Sequence, residues 1–289
     1  MQSSSQTFQP STIFIPFLKL LTISVFLGRA WQHIFLDIPL RELLWREEWM
    51  AQPVKVILGM EWEGFISSMV VDAWIVKLTI IAGVFYVLCA FLAFFLNEHR
   101  KSLGKVIIAG SIALVLLSLL YWLEKFQSVG QFIEYSLQIE TPVFLVWAVL
   151  WNTKHLILAM KIAVSLTFIG HGLYALGFYP VPAHFVQMTI DGFGMDETTA
   201  ISFLHIIGVV DIIVAVLIFI PIKWMSQMAL FYCIIWGSMT AFARIICNFD
   251  MNIPMESCYQ WLYEVVYRLP HGGVPLIVFL YYNKFGDLN

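Results

Sequence analysis

Asp211 stands in the middle of GVVDIIVAVLIF, an apolar run with no basic residue within a helical turn. A charge at mid-bilayer on a lipid-facing helix costs ~3 kcal/mol or more, so such a residue turns into the bundle and takes a polar partner from another helix. There it can serve as a functional carboxyl, or be tied to a neighbouring Ser or Tyr for packing alone. The stretch QWLYEVVYRLPHGGVP is the second candidate. If it is helical, Glu264 and Arg268 are i,i+4 neighbours in the favourable order, Tyr263 and Tyr267 line an adjoining face, and His271 follows three residues on. Together these groups can hold a quinone head group or a small anion. An interfacial belt with one salt bridge accounts for the same residues.

His171 follows Gly170, as Arg29 follows Gly28; His33 closes the same segment as Arg29, and His205 lies one turn into the Asp211 run. All four join the candidate polar pocket, each with hydrogen-bonded packing as its alternative role. No two histidines share a segment at the spacing of haem-binding bundles, so haem is not expected. The chain has no His-Glu-x-x-His or Cys-x-x-Cys, which leaves a zinc or dithiol site without a motif. Arg244, in TAFARIIC, is expected to snorkel to the membrane surface. Cys89 and Cys233 read as apolar packing. Cys247 and Cys258 bracket the ten residues NFDMNIPMES and are expected to form a disulfide if that side is oxidising.

The elements that would position these residues follow from composition. Apolar residues make up 60% of the 289 and charged residues 12%, against roughly 45–50% and about 25% in soluble domains. The apolar stretches are continuous rather than alternating, which predicts helices spanning a lipid bilayer. A net charge of −3 without a basic patch excludes nucleic acid as a partner. With about 20 apolar residues per crossing, eight spans fall near 12–34, 74–96, 106–123, 137–152, 158–178, 201–221, 226–246 and 269–283. Gln138, Glu140 and Pro142 interrupt the start of the fourth. The N-terminal ten residues lack the basic region of a secretory signal, so the first segment is expected to be a retained span.

Arg100, Lys101, Lys105, Lys154, Lys223 and Lys284 fall on one side of this arrangement, while connection 179–200 has no Lys or Arg. The positive-inside rule then puts both termini in the cytoplasm and predicts a multi-pass protein of the inner membrane. The first connection, about 35–65, is amphipathic. Leu40, Leu43, Leu44 and Trp45 repeat at helical spacing, Asp37 can cap them, and 38–50 is expected to lie as one helix on the outer surface.

The two halves, 1–152 and 153–289, align with each other. LKLLTISVFLGRAW (18–31) lies over MKIAVSLTFIGHGL (160–173), GVFYVLCAFLAFF (83–95) over GVVDIIVAVLIFI (208–220), and QIETPVFLV (138–146) over HGGVPLIVF (271–279). Four spans per half make the repeat parallel, with an axis near the membrane normal. The expected fold is an all-α integral membrane protein of two four-helix units.

A four-helix unit with a glycine-bearing first span, an amphipathic outer loop and a polar-x3-Pro turn into its last span resembles the DoxX-like membrane proteins. The second half carries the likeness best, in GHGLYALGFYPVP, GVVDIIVAVLIF and YRLPHGGVPLIVF, over about 130 residues. The family commonly has Glu in its second span, where this chain has Asp211 in one half and Tyr86 in the other. The resemblance implies a subunit or accessory protein of a membrane or periplasmic oxidoreductase, with quinone as the implied redox carrier. A small-solute transporter and a structural or assembly factor remain as alternatives. The uneven polar content, with Asp211, His205 and His271 against Tyr86, Ile80 and Gln138, favours one site over a symmetric path.

Overall fold

The computed structural model describes residues 14–150 and 155–285, all of whose regular structure is helical. The expected start of the first span at 12, the end of the fourth at 152, and Lys154 lie outside the described residues. The first helix, α1 (Phe14–Phe35), is followed by three short helices, α2 (Leu40–Leu44), α3 (Glu47–Pro53) and α4 (Trp62–Ile66), with a π turn at Val54–Leu58. Then come α5 (Met69–Phe95), α6 (Leu103–Glu124), the short α7 (Val129–Ile133) and α8 (Ser136–Leu150). The second half comprises α9 (His155–Ala175), α10 (Ala183–Phe193), α11 (Glu197–Leu217), α12 (Lys223–Ile246), α13 (Pro254–Arg268) and α14 (Pro270–Phe285).

Seven helical segments among the described residues are long and apolar enough to cross a membrane: α1, α5, α6, α7 with α8, α9, α11 and α12. The chain is thus built as a multi-pass membrane protein. Their outward stripes are apolar, as lipid requires. Ile81, Val84, Leu88 and Phe91 are exposed on α5, and Ile206, Val209, Ile213 and Val216 on α11. Helix α14 has 16 residues, roughly 24 Å at 1.5 Å per residue, and packs against α12 and α9.

The structure departs from the sequence expectation in the first connection. A single helix over 38–50 is replaced by α2 and α3, broken at Trp45 and Arg46, with Arg46 in extended backbone. Asp37 does not cap α2, whose N-cap is Pro39. Arg41 has drawn it away: the guanidinium pairs with Asp37 at 2.7 Å and with Asp72 of α5 at 2.6 Å, tying the connection to the next helix. Helix α11 starts a turn earlier than expected because Asp196 caps it, accepting from the Thr199 amide at 3.1 Å. The Thr199 hydroxyl, with that amide, holds this carboxyl below its ordinary range. Pro142 lies inside α8 and does not end it, and the break in the fourth span falls between α7 and α8.

Within the first half, α1 packs on α5, α5 on α6, α6 on α8, and α8 back on α1; α9, α11, α12 and α14 make the same ring in the second half. Glycines set the closest approaches. A methyl at Gly28 would stand 2.8 Å from the Tyr263 carbonyl and the Tyr267 amide of α13, and one at Gly170 would stand 2.8 Å from the Glu134 amide and 2.9 Å from the Gly130 carbonyl beside α7. Gly28 aligns with Gly170, and Tyr263 and Tyr267 align with Gly130 and Glu134. Each half's first long helix therefore presses backbone to backbone on the short helix of the other half. Gly83 meets Ile34 and the Ala30 carbonyl, and Gly208 meets Leu176 and the Gly172 carbonyl, again at aligned places.

The α1–α13 contact has no room for a side chain at position 28. Gly28→Ala should lower the thermal unfolding midpoint of the detergent-solubilised protein, by about 1–3 kcal/mol in stability. Gly64→Ala, whose methyl meets nothing within 4 Å, should not lower it. Equal midpoints for the two variants would contradict the close approach.

Candidate functional site

Because the long helices run back and forth, the ends α1/α5, α6/α7, α9/α11 and α12/α13 all meet on the face that carries the first connection, here called the first-loop face. The buried polar side chains concentrate beneath it. Arg29 is fully buried on α1, placed there by the approach of Gly28 to α13. Its Nε and Nη2 donate to Gln138 Oε1 at 3.1 and 2.5 Å, and its Nη1 donates to Gln32 Oε1 at 2.7 Å. Gln32 in turn donates to the Tyr121 hydroxyl. The guanidinium lies 3.8 Å from the centre of the Tyr267 ring, 5.0 Å from that of Tyr135 and 5.8 Å from that of Tyr121. One turn nearer that face, His33 Nδ1 meets the Arg29 carbonyl at 2.6 Å and its ring stands edge-on to Tyr86 at 5.0 Å. Arg29 and His33 thus belong to a closed polar plug.

A second group converges from α9, α12, α13 and α14. Glu264 Oε2 is 3.4 Å from Arg244 Nε and 3.8 Å from Arg268 Nε, with all three side chains largely buried. Burial works against the charge on Arg268, but Tyr267, Glu264 and Glu134 outweigh it and hold the guanidinium above its ordinary value. His271 Nδ1 meets the Arg268 carbonyl at 2.9 Å, and the ring stands edge-on to His171 at 5.5 Å. His171 lies flat against Phe185 of α10, 6.3 Å between ring centres. Four buried nitrogens here have no hydrogen-bond partner among the described residues: Nε of Arg244 and of Arg268, and Nε2 of His171 and of His271. The two Nε atoms are donors, while His271 Nε2 is an acceptor because Nδ1 holds its proton toward the Arg268 carbonyl; buried polar atoms without partners are costly, so the four together mark a place prepared for something else.

Two cavities meet at Arg244, Arg268 and Phe185. One is a cleft of about 560 Å³ between α10, α11 and α12. Its walls are apolar, with Met188, Phe193, Leu204, Ile207, Trp236 and Met239, and its polar end holds His171, Asp211, Arg244 and Arg268. Phe193, Met239, Phe242 and Ile246 line it and are also exposed on the protein surface, which puts its mouth on the apolar flank. Asp211 is buried in the cleft wall and accepts a hydrogen bond at 2.8 Å from Tyr232 of α12. The other cavity is a polar chamber of about 810 Å³ whose mouth lies among the exposed Lys125, Phe126 and Gln127 and the Pro180–His184 segment. Phe126 and Gln127 both hold positive φ, 52° and 60°, in the turn at that mouth, a conformation uncommon for residues other than glycine.

Comparison with protein-family models, curated proteins and solved structures gives no match. The site is therefore read from its own geometry.

Of the residues expected in a polar pocket, Glu264, Tyr267 and Arg268 line the chamber, Asp211, His171 and Arg268 line the cleft, and His271 backs His171. His205 is not among them. It is exposed on α11, about a quarter turn from the buried face of Leu204, Gly208 and Asp211, and that helical phase is itself readable in the sequence. The expected disulfide is also absent, with Cys247 and Cys258 both free thiols. Cys247 ends α12 and points its Sγ at the Met188 carbonyl of α10, 3.4 Å away, instead of toward α13. Burial holds that thiol above its ordinary pKa. Arg244 does not snorkel to the surface but turns inward to Glu264. Residues not anticipated are Gln32, Tyr121, Glu134, Tyr135 and Tyr232, neutral or ordinary-looking side chains whose sequence context carries no sign of their partners.

Glu264 is the one carboxylate within ion-pair reach of both Arg244 and Arg268 among the described residues. Removing one member of a buried charge group leaves the others uncompensated, at about 3–5 kcal/mol. Glu264→Gln should lower the unfolding midpoint accordingly. Glu61→Gln, which breaks the exposed Lys55–Glu61 pair, 2.9 Å long, should hardly move it. A silent Glu264→Gln would show that the two guanidinium groups are neutralised some other way.

Proposed function

We propose that this chain is an eight-span, two-repeat membrane protein of DoxX-like architecture that binds a lipophilic ligand with a polar head, of the quinone class, in the cleft between α10, α11 and α12. The observation that carries the reading is the cleft itself. It opens on an apolar flank, its walls are apolar through most of their depth, and it ends on guanidinium and imidazole nitrogens without partners. A flat carbonyl-bearing ring would accept from the guanidinium donors while its chain stayed among Met188, Phe193 and Met239. Asp211 stands at the same wall, where a carboxyl can exchange a proton with a bound head group. Redox work would then need a partner oxidoreductase to supply or take electrons.

The repeat reading rests on the aligned glycine contacts and on the matching rings of helices in the two halves, and α14 supplies the eighth span. The first-loop face is taken as the outer one on the loop charges, which would put the cleft in the outer leaflet and both termini in the cytoplasm.

Trp236 lines the cleft, which provides a test. A decyl-benzoquinone titrated into the purified full-length protein should quench tryptophan fluorescence saturably. Trp236→Phe should remove much of the quenching, and Ala243→Trp, which fills the cleft, should raise the apparent Kd at least tenfold. Linear, non-saturating quenching that ignores Ala243→Trp would end the quinone reading. Orientation is checked separately by reporter fusions, which should read cytoplasmic after residues 103 and 289 and external at 193. An external signal at 103 would sink the eight-span topology.

A further inference from the structure

The polar chamber shares Phe185, Arg244 and Arg268 with the cleft but differs from it in mouth and in the rest of its lining. It opens among loop residues on the first-loop face and not on the apolar flank, and its walls carry hydroxyls and charges. We infer that it is a second binding site, for a small organic anion entering from the aqueous phase, whose carboxylate or phosphate-ester oxygens are received by Arg244 and Arg268.

Charge is the first support. Three guanidinium groups are buried around the inner end of the chamber, those of Arg29, Arg244 and Arg268, and two carboxylates face them, Glu264 and Glu134. Glu134 already accepts from Gln131 at 2.8 Å. Arg29 has only neutral partners among the described residues: the Gln138 and Gln32 amides and the faces of three tyrosine rings. Tyr121, Tyr135 and Tyr267, which clasp it, are also chamber wall. Three guanidinium groups thus face two carboxylates, a surplus of one positive charge at the inner end of the chamber. At the rim Lys125 and Glu124 offset each other. An unbalanced buried cation in a low-dielectric setting raises the local concentration of anions.

Unmet hydrogen bonding is the second support. Arg244 Nε and Arg268 Nε are buried, without hydrogen-bond partners, and belong to residues that line the chamber. Guanidinium groups match carboxylate and phosphate oxygens in geometry and charge. Glu264 lies between them without closing a hydrogen bond to either Nε, so an incoming oxyanion would complete a cluster that is left open in its absence.

Size and lining identify the rest of the ligand. A bare inorganic oxyanion would fill only a small part of about 810 Å³. Tyr121, Tyr135, Tyr174, Tyr179, Tyr263 and Tyr267 all face the chamber, offering ring faces for stacking. Tyr174 is already engaged with Ser128 at 2.5 Å, and the Tyr179 hydroxyl accepts from the Gly130 amide at 3.4 Å. These contacts fix the two rings and leave the cavity shaped for an anion with an organic body.

The inference does not depend on the quinone reading, and its test is arranged to keep the two apart. The full-length protein in detergent would be titrated with benzoate, inorganic phosphate and uncharged benzyl alcohol, with the thermal unfolding midpoint as readout. Benzoate should stabilise saturably, phosphate more weakly, and benzyl alcohol not at all. Arg268→Gln should raise the half-saturating benzoate concentration at least tenfold. Should that variant fail to fold, Ala183→Trp, placed at the exposed mouth, should block benzoate without touching a charge. Ala243→Trp, in the cleft, should leave benzoate binding as it was. Benzoate acting no better than benzyl alcohol, phosphate matching benzoate, or a benzoate effect indifferent to Ala183→Trp would each overturn the proposal.

Discussion

Two glycines hold the first long helix of each half against a short helix of the other. Where Gly28 meets α13 and Gly170 meets α7, backbone touches backbone, and no larger residue fits without moving one helix. In a bilayer, where lipid tails are as apolar as leucine, helices gain little from the hydrophobic effect on touching, and close van der Waals contact at small residues takes its place. The residue after each glycine is thereby carried to the seam between the halves. Those residues are Arg29 and His171. The contacts of Arg29 with Gln138 and Gln32 and of His171 with His271 follow from that placement.

The cost of the arrangement sets its chemistry. A guanidinium as deeply buried as Arg29 persists only if its donors are satisfied and its charge has some counterpart. Two glutamines meet the first need, and three tyrosine rings, whose faces are electron-rich, meet part of the second. Arg244 and Arg268 are treated differently. They share one carboxylate at distances longer than a hydrogen bond, and their Nε atoms have no acceptor. The same residue type is thus sealed at one place and left open at the other, and only the open pair borders both cavities.

How much of this could be read from the chain depends on the range of each interaction. Seven crossings follow from local apolarity, and Asp211 stands out because its neighbours offer it nothing. His205 could have been set aside on phase alone, since Leu204, Gly208 and Asp211 define a buried face that it misses. Arg244 could not be read from its surroundings. Its position near a helix end suggests snorkelling, and its partner Glu264 comes within reach only because α13 folds back over α12. Cys247 fails the same way: a short loop to Cys258 makes a disulfide sterically reasonable, but α10 presents a carbonyl first. Gln138 and the tyrosines around Arg29 are uncharged, so nothing in their local sequence separates a ligand of a buried arginine from an ordinary helix residue.

Positions that align between the two halves carry side chains that do different work. Arg29 with Gln138, and His171 with His271, occupy corresponding places in the two halves, and each pair touches across its own bundle. In the first half the long, five-donor side chain reaches its amide partner and closes the space. In the second half two imidazoles meet edge to edge, each leaving an Nε2 without a partner. The shorter side chains leave the room that the cleft occupies. Tyr267 and Glu134 also align: the ring caps Arg29, while the carboxylate adds its field to Arg244 and Arg268. With arginine at 29 and tyrosine at 267 the first half closes a polar plug, while histidine at 171 borders the cleft and leaves buried nitrogens without partners.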